Sequence, residues 1–362
     1  MGYVADEGGI PVEVTESELQ NLRSRVRATR LVDAPGEGWS RGVDRDFLQE
    51  LLRHWAESYD WRVAERGIRQ LPWTRAGGLR VIHQRAVEEG APAVVLLHGW
   101  PDSVLRFQRV LPFLTDMNVV VPALPGFPLS ESAGMAGAAM VGPVAAAMSE
   151  LGYVRYTASG GDVGAPVAEG LARHDQTHVA SLHLTDIGLG HAHLVPSHER
   201  TPAIESFLMA AQQWGAAEGG YAAEQTTKPS TLAVGLGDSP AGLAAWLVEK
   251  YRSWIDGELA DAFSFDDLLT WVSLYWFTSS IGTSFSPYSE RQPPEAPRVE
   301  VPTAISVFPG EPVALPRELA ERVFDVRVWS EHRAGGHFAA WEQPEAFAAD
   351  VRAAVALGRS PS

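Results

Sequence analysis

Short apolar runs recur along the chain, and several of them end at glycine or proline. The strands that these runs predict lie, in chain order, at 79–81, 93–97, 119–124, 155–159, 179–184, 303–307 and 324–329. Stretches with helical periodicity separate them. Continuous apolar strands that alternate with helices are typical of a mostly parallel sheet with helices on both faces. The pattern therefore predicts an α/β fold.

Two parts of the chain depart from this alternation. Near the N-terminus, Thr15 and Glu18 have the spacing of a capping box within a helical pattern at 12–32, and residues 39–70 are helical in pattern and rich in large side chains. After about residue 190 the strand-like runs fade, tryptophans recur, and a proline-rich stretch at 292–297 closes the segment. Such a helical insertion is expected to form a lid over the carboxyl ends of the strands, where open α/β sheets bind ligands.

Composition narrows the possible chemistry. The 362 residues carry a formal net charge of −16 and include no cysteine. Disulfides, thiolate metal sites and a cysteine nucleophile are therefore excluded, and the lack of basic stretches argues against nucleic-acid binding. There is no apolar run of about 18 residues and no apolar signal-peptide region at the start. We expect a soluble, cytoplasmic protein that needs no metal or cofactor and has no membrane partner.

The main chemical feature is the sequence Ser-Gly-Gly-Asp-Val-Gly at 159–164, between a predicted strand and a helix that starts near Ala165. Glycines on both sides permit a sharp strand-to-helix turn with a nucleophile at its apex. Serine hydrolases have Ser at the apex, whereas this chain has Asp162. A carboxylate needs no base to attack an sp³ carbon, but the resulting ester then requires a base and an oxyanion hole for its hydrolysis. The alternative is that the Gly-Gly-Asp turn only caps the helix.

Two further segments could supply those groups. Trp100 follows the strand at 93–97, and its backbone N–H is predicted to bind the oxyanion together with the N–H of Val163. His337 lies in a Gly-Gly turn after the last predicted strand and is the predicted general base. His332, five residues earlier, is the alternative.

The acid that orients the histidine is expected after the strand at 303–307, where Glu311 lies. Such an acid fixes the tautomer of the imidazole and stabilises the imidazolium. Asp186 and Asp325 are alternatives. The order nucleophile, acid, histidine along the chain is that of the α/β-hydrolase fold.

These motifs resemble the microsomal-type epoxide hydrolases, a group that includes juvenile hormone epoxide hydrolases and bacterial relatives. The resemblance covers nearly the whole chain and is carried by the segments 39–43, 54–62, 98–101, 160–164, 220–229, 238–243, 275–290 and 335–342. It implies an α/β-hydrolase fold with a helical cap and an N-terminal meander. It also implies that Asp162, His337 and Glu311 form the triad, with Tyr221 and Tyr288 as hydrogen-bond donors to the epoxide oxygen.

The resemblance also predicts a division of the chain and a reaction. The predicted parts are a meander at 1–85, a first core part at 86–190, a cap at 191–297 and a second core part at 298–362. The implied reaction is cofactor-free hydrolysis of an epoxide to a vicinal diol, and the aromatic cap suggests an apolar or aryl substrate. Bacterial relatives include natural-product enzymes, among them enediyne biosynthetic ones, and catabolic enzymes, and both roles stay open. The oligomeric state is also open, with a homodimer as one alternative.

The sequence departs from the family pattern at some positions, and three other functions are alternatives. Val163 stands where the family often has Trp, and Pro128 where it often has Gly. We also expect this chain to lack the N-terminal membrane anchor of animal members. A haloalkane dehalogenase also uses an aspartate, but usually has Trp after it. A serine hydrolase would need Ser40, in a Gly-x-Ser-x-Gly match without a preceding strand, or Ser159, which precedes the turn's apex. A non-catalytic binding protein on the same fold is the third alternative.

Overall fold

The computed structural model describes residues 9–11, 13–291, 293–294 and 298–359. One eight-stranded sheet, in the order β1-β2-β4-β3-β5-β6-β7-β8, forms its centre. Its strands are β1 (Trp73–Ala76), β2 (Leu79–Gln84), β3 (Ala93–Leu97), β4 (Asn118–Pro122), β5 (Tyr156–Gly160), β6 (Val179–Leu184), β7 (Val299–Val307) and β8 (Phe324–Glu331). Strands β3 to β8 are parallel, whereas β2 pairs antiparallel with both β1 and β4.

Helices cover the sheet and fill the connections between strands. They are α1 (Glu16–Arg27), α2 (Arg45–Glu57), α3 (Trp61–Arg69), α4 (Val141–Glu150), α5 (Gly164–His174), α6 (His191–Leu194), α7 (Pro202–Glu218), α8 (Gly220–Thr227), α9 (Pro229–Asp238), α10 (Pro240–Trp254), α11 (Leu259–Ala262), α12 (Phe265–Thr278), α13 (Ser286–Ser289), α14 (Arg317–Val323), α15 (Ala339–Glu342) and α16 (Pro344–Arg359). Short 3₁₀ turns lie at Val104–Phe107, Leu111–Phe113, Gly137–Met140, Ser197–Glu199 and Thr283–Phe285.

The apolar runs predicted the sheet well. All seven predicted strands are present, and none of their ends differs from the prediction by more than four residues. Every residue of β3 and β5 is buried, as expected for central strands covered on both faces. The sequence did not predict β1, because only its first and last residues are buried and a four-residue strand leaves too short a pattern.

Each N-terminal helix begins directly after a residue whose side chain caps it. Helix α1 begins at the predicted capping box, in which Thr15 and Glu18 accept hydrogen bonds from each other's backbone N–H. The helical pattern at 39–70 forms two helices rather than one, since Asp44 and Asp60 each cap a new start. Residues 39–43 form turns, so the prediction of helix is wrong there.

The connection from β6 to β7 contains helices α6 to α13, joined by turns and loops, and no strand among the residues that the structure describes. Two of its buried tyrosines contact the loop after β3: the Tyr251 hydroxyl donates to the Pro101 carbonyl at 2.9 Å, and the Tyr275 hydroxyl donates to the Asp102 carbonyl at 3.0 Å. These contacts place the helical segment above the carboxyl end of the sheet. The proline-rich boundary lies partly outside the described residues, and the division at 85, 190 and 297 stays a prediction.

Within the described ranges, no single helix has the length and apolar character to cross a membrane. Helices α9 and α10 together meet that criterion by length and composition only, and they are bent by 116° at their junction.

Candidate active site

The sharp turn between β5 and α5 holds Asp162 in a left-handed backbone conformation, with φ of 51°. A residue other than glycine is uncommon there and persists where the surrounding structure requires it. The neighbouring glycines make the turn possible. A Cβ on Gly160 would lie 2.3 Å from the carbonyl oxygen of Gly164, and a Cβ on Gly164 would lie 2.2 Å from that of Leu97. The predicted elbow is therefore present, with Asp162 at its apex.

Backbone donors hold one oxygen of this carboxylate. The N–H of Trp100 donates to Oδ1 of Asp162 at 2.7 Å, and the N–H of Val163 also stabilises the charged carboxylate. A side chain at position 99 would block this approach, because a Cβ on Gly99 would lie 2.5 Å from Oδ1. The structure thus brings together the two N–H groups that were predicted as an oxyanion hole.

His337 faces the other carboxylate oxygen. Its Nε2 lies 3.8 Å from Oδ2 of Asp162, and its Nδ1 lies 3.3 Å from the Glu311 carboxylate. The backbone N–H of His337 donates to the Trp254 carbonyl at 2.8 Å. This close approach requires glycine at position 336, because a Cβ on Gly336 would lie 2.5 Å from the same carbonyl oxygen.

Burial and neighbouring charges shift the pKa values of both His337 and Asp162. Burial by itself lowers the pKa of His337, but the adjacent Glu311 carboxylate raises it by charge and hydrogen bonding, and the net result is a pKa of about 9. Burial raises the pKa of Asp162, against the opposing influence of His337 and the two N–H groups. A carboxylate that has lost most of its hydration is a stronger nucleophile than one in water.

The alternative residues have other partners. Asp186 accepts the backbone N–H of Asp162 at 2.6 Å, and its pKa is raised to about 7 by burial and by the Glu311 charge. Nε2 of His332 pairs with Asp350 at 2.6 Å. The alternative acid Asp325 forms ion pairs with Arg298 and Arg327. The geometry therefore favours His337 with Glu311 over these alternatives.

The serine alternatives also lie elsewhere. Ser40 sits in an exposed turn, where its hydroxyl donates to the Glu37 carbonyl. Ser159 is buried inside the sheet, and its hydroxyl is hydrogen-bonded to Nδ1 of His183 at 2.8 Å. Neither lines the cavity next to Asp162.

Tyr221 and Tyr288 approach the site from the helical segment, on α8 and α13. Their ring centroids are 5.9 Å apart, with 77° between the ring planes. Tyr221 also stacks on Trp100, with 5.3 Å between the rings and 8° between their planes. Burial, with the nearby Asp162 charge, raises the pKa of Tyr221 well above the usual phenol value. Both phenols therefore keep their protons and can donate hydrogen bonds.

One cavity of about 430 Å³, a size typical of small-molecule sites, is lined by Asp162, His337, Glu311, Tyr221 and Tyr288. Its apolar wall includes Phe207, Trp214 and Trp254, and Val163 lies beside the carboxylate. Five buried polar atoms without a hydrogen-bond partner in the protein belong to residues that line it: Thr185 Oγ1, His191 Nδ1, Trp254 Nε1, Glu311 Oε1 and His337 Nε2. Such atoms need a ligand or water, so the cavity is built to hold polar groups as well as apolar ones.

Sequence reasoning missed a buried ion pair beneath the site. Nη1 of Arg106 lies 2.6 Å from Oδ2 of Asp102, and Nη2 of Arg106 donates to the carbonyl of His337. Asp102 in turn accepts the N–H of Gly99 at 2.9 Å. The ion pair therefore connects the loop that holds Gly99 and Trp100 to the loop that holds His337. Its i, i+4 spacing directly after Trp100-Pro101 is the signal that could have revealed it.

In the described part of the chain, no group of three or more histidine, aspartate or glutamate side chains has the arrangement of a metal site.

Two family descriptions match the sequence. The family of epoxide hydrolase N-termini matches residues 9–107, and the α/β-hydrolase fold family matches residues 92–236. A putative epoxide hydrolase of Stigmatella aurantiaca is 35% identical over 94% of this chain and 83% of its own length. Juvenile hormone epoxide hydrolase of Bombyx mori is 31% identical over 95% and 86%, and epoxide hydrolase 1 of Sus scrofa is 29% identical over 96% and 88%.

Solved structures of epoxide hydrolases also superpose on this chain. The epoxide hydrolase of Aspergillus niger superposes with a TM-score of 0.84 at 25% identity and covers 98% of this chain and 97% of its own. The crystal structure of the juvenile hormone epoxide hydrolase of Bombyx mori gives 0.83 at 28% identity, with 96% and 93% covered. The predicted α/β-hydrolase fold is confirmed.

Proposed function

Because the chain belongs to the epoxide hydrolases of the α/β-hydrolase fold, we propose that it converts its epoxide to a vicinal diol through a covalent ester on Asp162. One observation carries this proposal. Oδ1 of Asp162 is held by the Trp100 N–H, while Oδ2 faces His337 in a cavity that two tyrosines also line. One oxygen is thus held in place while the other can attack.

The first step alkylates the enzyme. Oδ2 of Asp162 attacks an epoxide carbon from the side opposite the breaking C–O bond, and the electron pair of that bond moves to the epoxide oxygen. Tyr221 and Tyr288 donate hydrogen bonds to this oxygen, which takes a phenol proton as it becomes a hydroxyl. In a buried site such donors stabilise developing charge far more than they would in water.

The second step hydrolyses the ester. Water attacks the carboxyl carbon of Asp162 while Nε2 of His337 takes its proton, and the N–H groups of Trp100 and Val163 bind the oxyanion. The tetrahedral intermediate then releases the diol with the original Asp162 oxygen, and the water oxygen stays on the enzyme. The alkoxide leaving group recovers the proton held by His337. The regenerated Asp162 carboxyl group loses the second water proton to solvent, and solvent restores the phenol proton.

Alkylation itself prepares the base for this step. The Asp162 carboxylate is one of the charges that raise the pKa of His337. The ester is neutral, so this attraction disappears once it forms and the pKa of His337 falls. The imidazolium can then release its extra proton to solvent, and the neutral imidazole can accept a proton from the attacking water.

The aromatic wall of the cavity favours an apolar or aryl epoxide, and Val163 leaves more room beside the nucleophile than a Trp would. A place in natural-product biosynthesis stays a prediction that rests on the resemblance alone. Cytoplasmic location and assembly as a homodimer likewise stay predictions.

The test is turnover of racemic styrene oxide and a panel of aryl and alkyl epoxides, with diol formation followed by chromatography. Wild type should form diol over many turnovers, and Asp162→Asn should form none above background. Full activity in Asp162→Asn would rule out the ester mechanism. Chloroalkanes serve as a control, because Val163 stands where a haloalkane dehalogenase usually has a Trp that binds the leaving halide, so they should not be turned over.

A further inference from the structure

A buried lysine that the proposed mechanism does not use lies beside Tyr221. Lysine occurs only at positions 228 and 250 of this chain, and Lys250 is 6% exposed, which is rare for a lysine unless its charge is paired. Its partner is Glu249, whose carboxylate lies 2.6 Å from Nζ. A buried ion pair is weak evidence for stability, because desolvation offsets the attraction between its charges. Stability alone therefore does not explain this lysine.

The ammonium group lies over the ring of Tyr221, with 5.0 Å between Nζ of Lys250 and the ring centroid. One helical turn further along α10, the ring of Trp254 contacts the same tyrosine, with centroids 5.2 Å apart. Helix α10 is itself held at the site, because the Trp254 carbonyl accepts the backbone N–H of His337. Lys250 is therefore held close to the phenol by a packed helix.

Alkylation moves a negative charge towards this lysine. As the Asp162 carboxylate becomes a neutral ester, the epoxide oxygen takes a proton from a phenol, and the electron pair of the broken O–H bond stays on that tyrosine as a phenolate. Among the described residues, a lysine or arginine lies over the ring of Tyr221 but not over that of Tyr288. A phenolate on Tyr221 would thus gain a counter-charge that one on Tyr288 would lack.

Burial makes this charge effective. The side chain of Lys250 is 7% exposed and that of Glu249 is 20% exposed, so water screens the ammonium less than the carboxylate. Burial raises the pKa of Tyr221, and the charges of Asp162 and Glu249 raise it further. A cation close to the ring opposes these influences while the proton leaves.

We propose that Tyr221 is the phenol that gives its proton to the epoxide oxygen, and that Lys250 is a positioning residue whose charge stabilises the phenolate that remains. Tyr288 then holds the oxygen by a hydrogen bond and keeps its own proton. The inference rests on the proposed function, since it concerns the alkylation step of that mechanism.

The test is a double-mutant cycle on the rate of alkylation, measured with styrene oxide by stopped-flow tryptophan fluorescence. Lys250→Met should slow alkylation about 10- to 100-fold and leave ester hydrolysis nearly unchanged. In Tyr221→Phe the same substitution should have almost no further effect, whereas in Tyr288→Phe it should slow alkylation as much as in wild type.

Two results would overturn the inference in different ways. Equal losses from Lys250→Met in wild type, Tyr221→Phe and Tyr288→Phe would mean that Lys250 has only a structural role, and the proposed function would stand. A wild-type enzyme that forms diol without any alkyl-enzyme would contradict the proposed function, and the inference with it.

Removing the partner of the lysine should have the opposite effect. Glu249→Gln keeps the ammonium and removes the charge that opposes it, so alkylation should be as fast as in wild type or up to about tenfold faster. This variant tests the inference even if Lys250→Met does not fold. Lys228→Met, at an exposed lysine that ends α8, is the matched control and should change neither step. If Glu249→Gln slows alkylation as much as Lys250→Met does, the ion pair only holds the structure and the inference is wrong.

Discussion

The imidazole Nε2 of His337 lies 3.8 Å from Oδ2 of Asp162, beyond hydrogen-bond distance but close enough for strong electrostatic attraction. In the resting enzyme the carboxylate and the imidazolium therefore stabilise each other. In the proposed mechanism, forming the ester removes the negative charge and leaves the histidine without this partner. We therefore expect the same contact to favour an ionised nucleophile before alkylation and a neutral base after it.

Removing the base should separate the two steps. In His337→Gln the nucleophile remains, so alkylation should proceed while ester hydrolysis slows on the order of 10³-fold or more. Intact-protein mass spectrometry under single-turnover conditions should show an adduct with the mass of the epoxide. His332→Gln, at a histidine paired with Asp350, is the control and should show none. If His337→Gln forms no adduct while free diol still appears, another residue is the base.

Removing the phenols should affect only the first step. Tyr221→Phe and Tyr288→Phe should each slow alkylation roughly 10–10³-fold, because each removes a donor to the developing alkoxide, and they should leave ester hydrolysis nearly unchanged. Stopped-flow tryptophan fluorescence resolves the two phases. Tyr153→Phe, which removes a hydroxyl bonded to the distant His83, should change neither. A selective loss of the second phase would contradict the assignment.

Removing the orienting acid should change the pH dependence of ester hydrolysis. This step requires neutral His337, so its rate rises with pH through the pKa of that histidine. The Glu311 carboxylate raises this pKa, so Glu311→Gln should move the rise to lower pH, and loss of the fixed tautomer should lower the plateau. Asp186→Asn is the comparison, since Asp186 contacts the Asp162 backbone. If the rise in the rate of ester hydrolysis moves to lower pH in Asp186→Asn but not in Glu311→Gln, Asp186 is the orienting acid.

The buried ion pair under the site should be important for stability. In Arg106→Met the fully buried Asp102 loses its counter-charge, and the unfolding free energy should fall by about 3–5 kcal/mol. Urea denaturation measures the change. The double variant Asp102→Asn with Arg106→Met should recover part of the loss, because no uncompensated charge is then left buried. Arg352→Met, at an exposed pair with Asp116, should cost less than about 1 kcal/mol.

Much of this site could be predicted because its residues are tied to local signals. Asp162 and His337 each lie in a glycine-rich turn after an apolar strand, and the structure explains why, since a Cβ on Gly164 or Gly336 would clash with backbone. The glycines in these turns and the order of the strands therefore made the positions of Asp162 and His337 predictable. The family, the α/β-hydrolase fold and the enzyme class predicted from these motifs are confirmed.

What could not be predicted depends on distant contacts. Arg106 and His337 are 231 residues apart in the chain, and no periodicity links them. Asp186 was only one of several carboxylates after strands until the fold placed it against the backbone of Asp162. Glu169 and His191 similarly have the character of ordinary surface residues in the sequence, and only the packing of α5 on the loop after β6 buries them in the cavity wall.

The most direct test of the central claim is a single turnover in H₂¹⁸O with enzyme in excess over styrene oxide, followed by mass analysis of the diol and of the peptide that contains Asp162. The ester mechanism predicts a first diol without ¹⁸O from solvent, because its new oxygen comes from Asp162, and one ¹⁸O in the carboxylate of that peptide. Solvent ¹⁸O in the first diol, with an unlabelled Asp162 peptide, would mean that water attacks the epoxide directly and would contradict the account.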